Sequence, residues 1–152
     1  MEQIIYLSEK ELENLDNIKE FRKNASKYYQ NHIQGKTIYH KDLGEIKFTK
    51  TGRKEVISQT THNAVLFPKL LEIIETSKYI RTEIPNHNRI DGIIKFHFLE
   101  NKVKIGKNIQ KYEFLIAQDS FGKRFYYIKN VPDSFVRQKV PGAIEDITII
   151  TD

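Results

Sequence analysis

Lys95 and His97 sit two residues apart in a run where Ile94, Phe96 and Phe98 take the alternate positions. Strict alternation marks a half-buried strand. The three apolar side chains are therefore expected to face a core, with Lys95 and His97 together on the opposite face. Imidazole beside ammonium suits chemistry on a phosphate, His97 as general base and Lys95 stabilising the developing charge. Lys111, Arg124, Tyr126 and Tyr127 follow on neighbouring predicted strands. They are the candidate substrate-binding groups, because side chains on one sheet face converge. Under regular alternation only one of Tyr126 and Tyr127 shares that face, and the sequence leaves open which. An exposed histidine among solvated lysines is the simpler alternative.

A second imidazole, His62, follows Thr60 and Thr61 and precedes Asn63 near the start of a predicted helix. Helix N-termini attract anions, which makes His62 the candidate acid for a leaving oxygen. A surface His62 beside a cap at Thr61 or Asn63 is the plainer reading. Arg53 and Lys54, after Gly52, are candidate phosphate ligands. No metal site is expected, because His32, His40, His62, His87 and His97 form no close ligand pair and cysteine is missing. There is also no Walker loop, dinucleotide fingerprint or Gly-x-Ser-x-Gly elbow. No cofactor is expected, and most large enzyme classes lose support.

The elements that must position these groups read as α+β. Residues 3–7 suit a short edge strand. Ser8 and Glu11 form a capping box opening a helix whose apolar stripe is Leu12, Leu15, Ile18, Phe21, Ala25 and Tyr28. Residues 37–40 and 45–49 predict a hairpin, with Ile46 and Phe48 inward and Lys47 and Thr49 outward. Residues 50–55 read as a basic, glycine-containing connection. A second helix is expected over 61–79, burying Val65, Leu66, Leu70, Ile73 and Ile74, with Pro68 at its first turn or a kink. A loop over 81–91 leads into three or four sequential strands with a turn at 119–122. Residues 131–142 read as irregular or a short helix, and 146–151 as a last strand. The expected architecture is an N-terminal helix and a second helix packed on one face of a four- to five-stranded antiparallel sheet. It makes a single domain over residues 1–152, with a helical segment to residue 35 and a sheet-containing body beyond.

The formal charge is +5, unevenly spread. Residues 1–20 hold two lysines and six acids, hence −4, and the remainder holds 23 basic and 14 acidic residues, hence +9. A basic body behind an acidic lead suits a polyanion binder whose first helix lies away from the ligand. No apolar run approaches membrane-spanning length and the opening residues are too short for a signal peptide, so a cytoplasmic protein without membrane contact is expected.

The runs 44–48, 52–55 and 66–74, with the strands through Gly122 and Tyr126, Tyr127 and Ile128, resemble a known group. The pattern, over roughly residues 35–130, is similar to phage and mobile-element domains of the barnase–EndoU–colicin–RelE (BECR) nuclease superfamily. That resemblance implies N-terminal helices on a four-stranded antiparallel sheet and metal-independent RNA cleavage, with catalytic residues too varied to carry over. The expected activity is an endoribonuclease, with a toxin as one form. His97 would deprotonate the ribose 2′-hydroxyl and His62 protonate the departing oxygen, leaving a 2′,3′-cyclic phosphate. Lys95, Arg53 and Lys54 would hold the phosphate. The expected partners are RNA, tRNA among its candidate classes, and an inhibitory immunity or antitoxin protein. The alternative is a non-catalytic nucleic-acid-binding or protein-interaction module.

Overall fold

The computed structural model describes residues 4–7, 18–87, 89–105 and 108–131. These form β1 (Ile4–Leu7), α1 (Ile18–His32), β2 (Thr37–His40), β3 (Gly44–Lys47) and α2 (Lys50–Gln59). A 3₁₀ helix (Thr61–Lys69), α3 (Leu70–Glu75), β4 (Lys78–Glu83), β5 (Lys95–Ile105), β6 (Asn108–Asp119) and β7 (Gly122–Val131) follow. All seven strands join one sheet in the order β1–β5–β6–β7–β3–β2, and β4 shares the outer edge of β5 with β1. The fold is α+β, but its sheet is larger than expected and mixed. β1 runs parallel to β5, and β3 parallel to β7. Short turns force only the β2–β3 and β5–β6–β7 neighbours to be antiparallel, while β1 and β3 reach these partners through long connections.

The helices cover one face. Phe21, Ala25 and Tyr29 of α1, Val56 of α2, Leu66 and Phe67 of the 3₁₀ helix, and Leu70, Ile73 and Ile74 of α3 form one cluster with strand residues. From the sheet come Ile46, Leu99, Val103, Phe114, Ile116, Phe125 and Ile128, with Phe48 just after β3. Each fully buried side chain of this size contributes about 1.5–3 kcal/mol by leaving water. The inward Phe21 and Ala25 of α1, and Ile46 and Phe48, were legible in advance, as was the hairpin, in which Ile38 pairs Ile46. Tyr29 is buried where Tyr28 was expected, and Ile18 is exposed.

Two segments differ from expectation. Residues 50–55 are the first turns of α2 rather than a connection. A Cβ at Gly52 would lie 2.6 Å from Cδ2 and 2.7 Å from the carbonyl oxygen of Phe125. This glycine therefore seats a helix on β7 instead of breaking one. The expected helix over 61–79 divides into the 3₁₀ helix, which contains Pro68, the six-residue α3, and β4. Proline removes a backbone donor, so the regular helix starts only after it. At the far end Asn101 Nδ2 and Ser77 Oγ both donate to the Ile73 carbonyl, at 3.0 and 2.6 Å. They satisfy a carbonyl the short helix would orphan, and β4 begins at Lys78. The Ser8–Glu11 capping box, Leu12, Leu15, the stretch after Val131 and the strand expected over 146–151 lie outside the described residues.

Candidate nucleic-acid interface

The sheet places His97 on the face opposite to the one expected. Leu99 and Val103 belong to the core, and Asn101 reaches α3, so the odd positions of β5 face the helices. His97 shares that phase and is only 6% exposed. Ile94, Phe96 and Phe98 do not join the helix-side core cluster; Phe98 is buried and Phe96 half-buried on the outer face, and Ile94 is exposed. Residues 96–99 are bulky on both faces, so the alternation of a short run did not set its phase; the helices did.

His97 is held at both ring nitrogens. Its Nε2 lies 2.7 Å from Gln118 Oε1, and its Nδ1 lies 2.7 Å from Thr82 Oγ1, which in turn meets the Tyr79 hydroxyl at 2.7 Å. With Gln118 presenting a carbonyl oxygen, Nε2 donates and Nδ1 accepts from Thr82. Lys95, Gln118 and Lys123 stand directly opposite one another on three strands. Burial, together with Lys123 and Lys95, holds the imidazole pKa below its ordinary 6.5, against the hydrogen bond to Gln118. Since the unfolded chain binds this proton more readily, His97 contributes stability that is intact above pH 6.5 and is lost as pH falls below it. Urea titrations at pH 7.5 and pH 5 should show acid destabilisation in the wild type, and a smaller loss in His97→Gln. An equal loss in both would refute the assignment.

The other candidates are dispersed. His62 is exposed on the 3₁₀ helix, at the rim of a cavity of about 390 Å³ with Arg22, Ser58 and Thr60. Arg53 Nη1 donates to Ser26 Oγ on α1 at 2.7 Å, and its buried Nε lacks a protein partner. Lys54 is exposed on the same helix. Lys111 pairs with Glu100 at 3.5 Å, and Arg124 donates to Asp119. No hydrogen bond or ion pair among the described residues joins His62, Arg53 or Lys54 to His97. Lys95 and His97 are brought together; the rest of the expected catalytic set is not.

The outer face collects what the helix side does not. The pairing of β6 and β7 shifts between Leu115 and Ile116, leaving Tyr126 as an extra residue between Phe125 and Tyr127. Because of this bulge both tyrosines avoid the core. Tyr127 stands opposite Leu115, and the Tyr126 ring meets Phe96 at 5.7 Å. The Arg89 guanidinium lies over Phe96 at 5.2 Å, and that of Arg81 over Phe98 at 3.9 Å. A cavity of about 650 Å³ opens beside Phe96, lined by Ile84, Pro85, Asn86, His87 and Arg89. Beside it, Asp91 accepts from Arg89 and from the Ile93 N–H. Phe96, Phe98, Arg81 and Arg89 were missed as site residues. The signal available was two phenylalanines two residues apart, assigned to the wrong face.

Among the described residues no group of three potential ligands could hold a metal, and no helix is long and apolar enough to cross a membrane. Fold and surface define an α+β domain with a one-sided helical layer and an aromatic, arginine-bearing sheet face. Its sequence matches the family model of large polyvalent protein-associated domain 3 over residues 16–126. The chain belongs to that family, a domain associated with phages and mobile elements. The match establishes this family and not the nuclease superfamily suggested by resemblance. No curated protein and no solved structure matches the chain.

Proposed function

We propose that the domain binds single-stranded RNA across the outer face of its sheet. The observation that carries the reading is the Phe96–Tyr126 ring pair with the Arg89 guanidinium over Phe96. Unpaired bases stack on aromatic and guanidinium planes, and each stacked base is worth about 1–3 kcal/mol. The Arg81–Glu83 and Arg89–Asp91 pairs are solvent-accessible. Exposed pairs of this kind are worth about 0–1 kcal/mol, so a phosphate competes for these guanidiniums at small cost. Arg124 and Lys111, with Tyr127, border the same face.

Fluorescence anisotropy with a labelled single-stranded RNA is expected to show saturable binding, weakened about tenfold or more by Phe96→Ala and again by Tyr126→Ala. Unchanged affinity in both variants would refute the reading. Metal-independent cleavage is the sharper proposal, and one observation favours it. Burial with Lys123 and Lys95 favours a neutral His97, the form a general base requires. Against it, Nδ1 already accepts from Thr82, and the buried ring lies on the helix-covered face, opposite the RNA-stacking surface. Cyclic-phosphate products formed in EDTA and lost in His97→Ala would support cleavage, with an immunity or antitoxin protein as the corresponding partner. Intact RNA would end it and leave the binding module.

A further inference from the structure

We propose that α1 and α2 form a second site, separate from the sheet face, for the phosphate backbone of duplex nucleic acid. Lys19, Lys23 and Lys27 recur at four-residue spacing on α1, as Lys50 and Lys54 do on α2, and all five are exposed. The Arg53–Ser26 hydrogen bond joins the two helices. On α1, Lys19, Arg22, Lys23 and Lys27 oppose Glu20 alone, and on α2, Lys50, Arg53 and Lys54 oppose Glu55 alone. The helices thus carry +3 and +2, together equal to the formal charge of the entire chain, +5. Arg81, Arg89, Lys111 and Arg124, the cations on or beside the outer sheet face named above, are matched by carboxylates, unlike these lysines. Among the described residues no ion pair takes up the five helical lysines.

Folding does not favour this arrangement. Like charges at four-residue spacing cost about 0.2–0.5 kcal/mol per pair. α2 also opens on Lys50 with no acid in its first turn, the wrong sign for the positive end of a helix. The surface also discriminates among polyanions. Protein interfaces are depleted of lysine and rich in aromatic residues, whereas α2 has no aromatic residue and the tyrosines of α1, Tyr28 and Tyr29, are half-buried and buried. A helix that lies on a membrane exposes apolar side chains to it, whereas Phe21, Ala25 and Tyr29 are in the core. Lysines four residues apart are spaced about 6 Å along a helix, close to the step between phosphates on one strand. Lysine acts there as a point charge, which implies binding without sequence preference.

The test is binding of a mixed-sequence DNA duplex over a salt series, read by fluorescence anisotropy. The slope of log K against log salt should become shallower by roughly 2.7 in the Lys19→Gln/Lys23→Gln/Lys27→Gln variant, and by roughly 1.8 in Lys50→Gln/Lys54→Gln, at about 0.9 for each phosphate that a lysine no longer neutralises. Glutamine keeps comparable helix propensity, and the α2 variant reports independently should the α1 variant misfold. Phe96→Ala should leave the duplex slope unchanged, so failure of the sheet-face reading is distinguishable from failure of this one. Absence of duplex binding at low salt, slopes unchanged in both lysine variants, or binding only to anionic vesicles would overturn the proposal.

Discussion

His40→Ala is expected to destabilise the fold by about 2–4 kcal/mol. The ring is fully buried at the end of β2, although nothing in the Thr37–His40 strand distinguishes it from a surface hairpin residue. Its Nε2 donates to the Ser77 carbonyl at 2.7 Å. Its Nδ1 accepts from the backbone N–H groups of Asp42 and Leu43, at 3.1 and 3.3 Å. One side chain thus closes the β2–β3 turn and ties it to the junction between α3 and β4, where Ser77 already caps Ile73. Alanine leaves a cavity and strands the Ser77 carbonyl, and an unpaired buried acceptor costs about 1–3 kcal/mol by itself. Urea unfolding should show the loss as a lower midpoint at unchanged slope. A change under about 1 kcal/mol would mean that the ring is dispensable.

Gly52→Ala should also destabilise, by about 1–3 kcal/mol, although helix propensity alone predicts a gain of up to about 1 kcal/mol. The two contributions have opposite signs, and geometry decides between them. The new methyl would meet the Phe125 ring at 2.6 Å and the Phe125 carbonyl oxygen at 2.7 Å. Phe125 cannot yield freely, since it is fully buried and stacks on Phe48 at 5.5 Å. α2 must therefore lift from β7, loosening Val56 from the core. Thermal unfolding would test this; a higher Tm in Gly52→Ala would show that the helix–strand packing has slack.

The parts of the fold that were legible in the sequence are those whose pattern has one solution. The middle of the α1 stripe, Phe21 and Ala25, and the hairpin with Ile46 and the following Phe48 follow from their spacing, although Tyr29 takes the core place expected of Tyr28 and Ile18 is exposed. Phase was not legible in β5, because Phe96 and Phe98 on one face and Leu99 on the other are all suited to burial. Only the helical layer, with α3 packed against β5, chooses between them. Gly52 misled for a related reason: a glycine required by close packing looks the same in sequence as one required by a turn. Of the candidate site, the contiguity of Lys95 and His97 survives, since positions two apart on a strand share a face whichever face it is. The pairing of Lys111 with Glu100 and Arg124 with Asp119 depends on strand register. So does the outward turn of both Tyr126 and Tyr127, which needs a bulge that alternation cannot announce.

Binding at the sheet face is tested most directly by NMR titration of isotope-labelled protein with a short single-stranded RNA. The ring resonances of Phe96 and Tyr126 and the Arg89 guanidinium should shift first and saturate together, while core signals such as Phe114 and Ile128 stay in place. Saturable RNA binding that leaves the Phe96 and Tyr126 rings unmoved, or no shift at all, would contradict it.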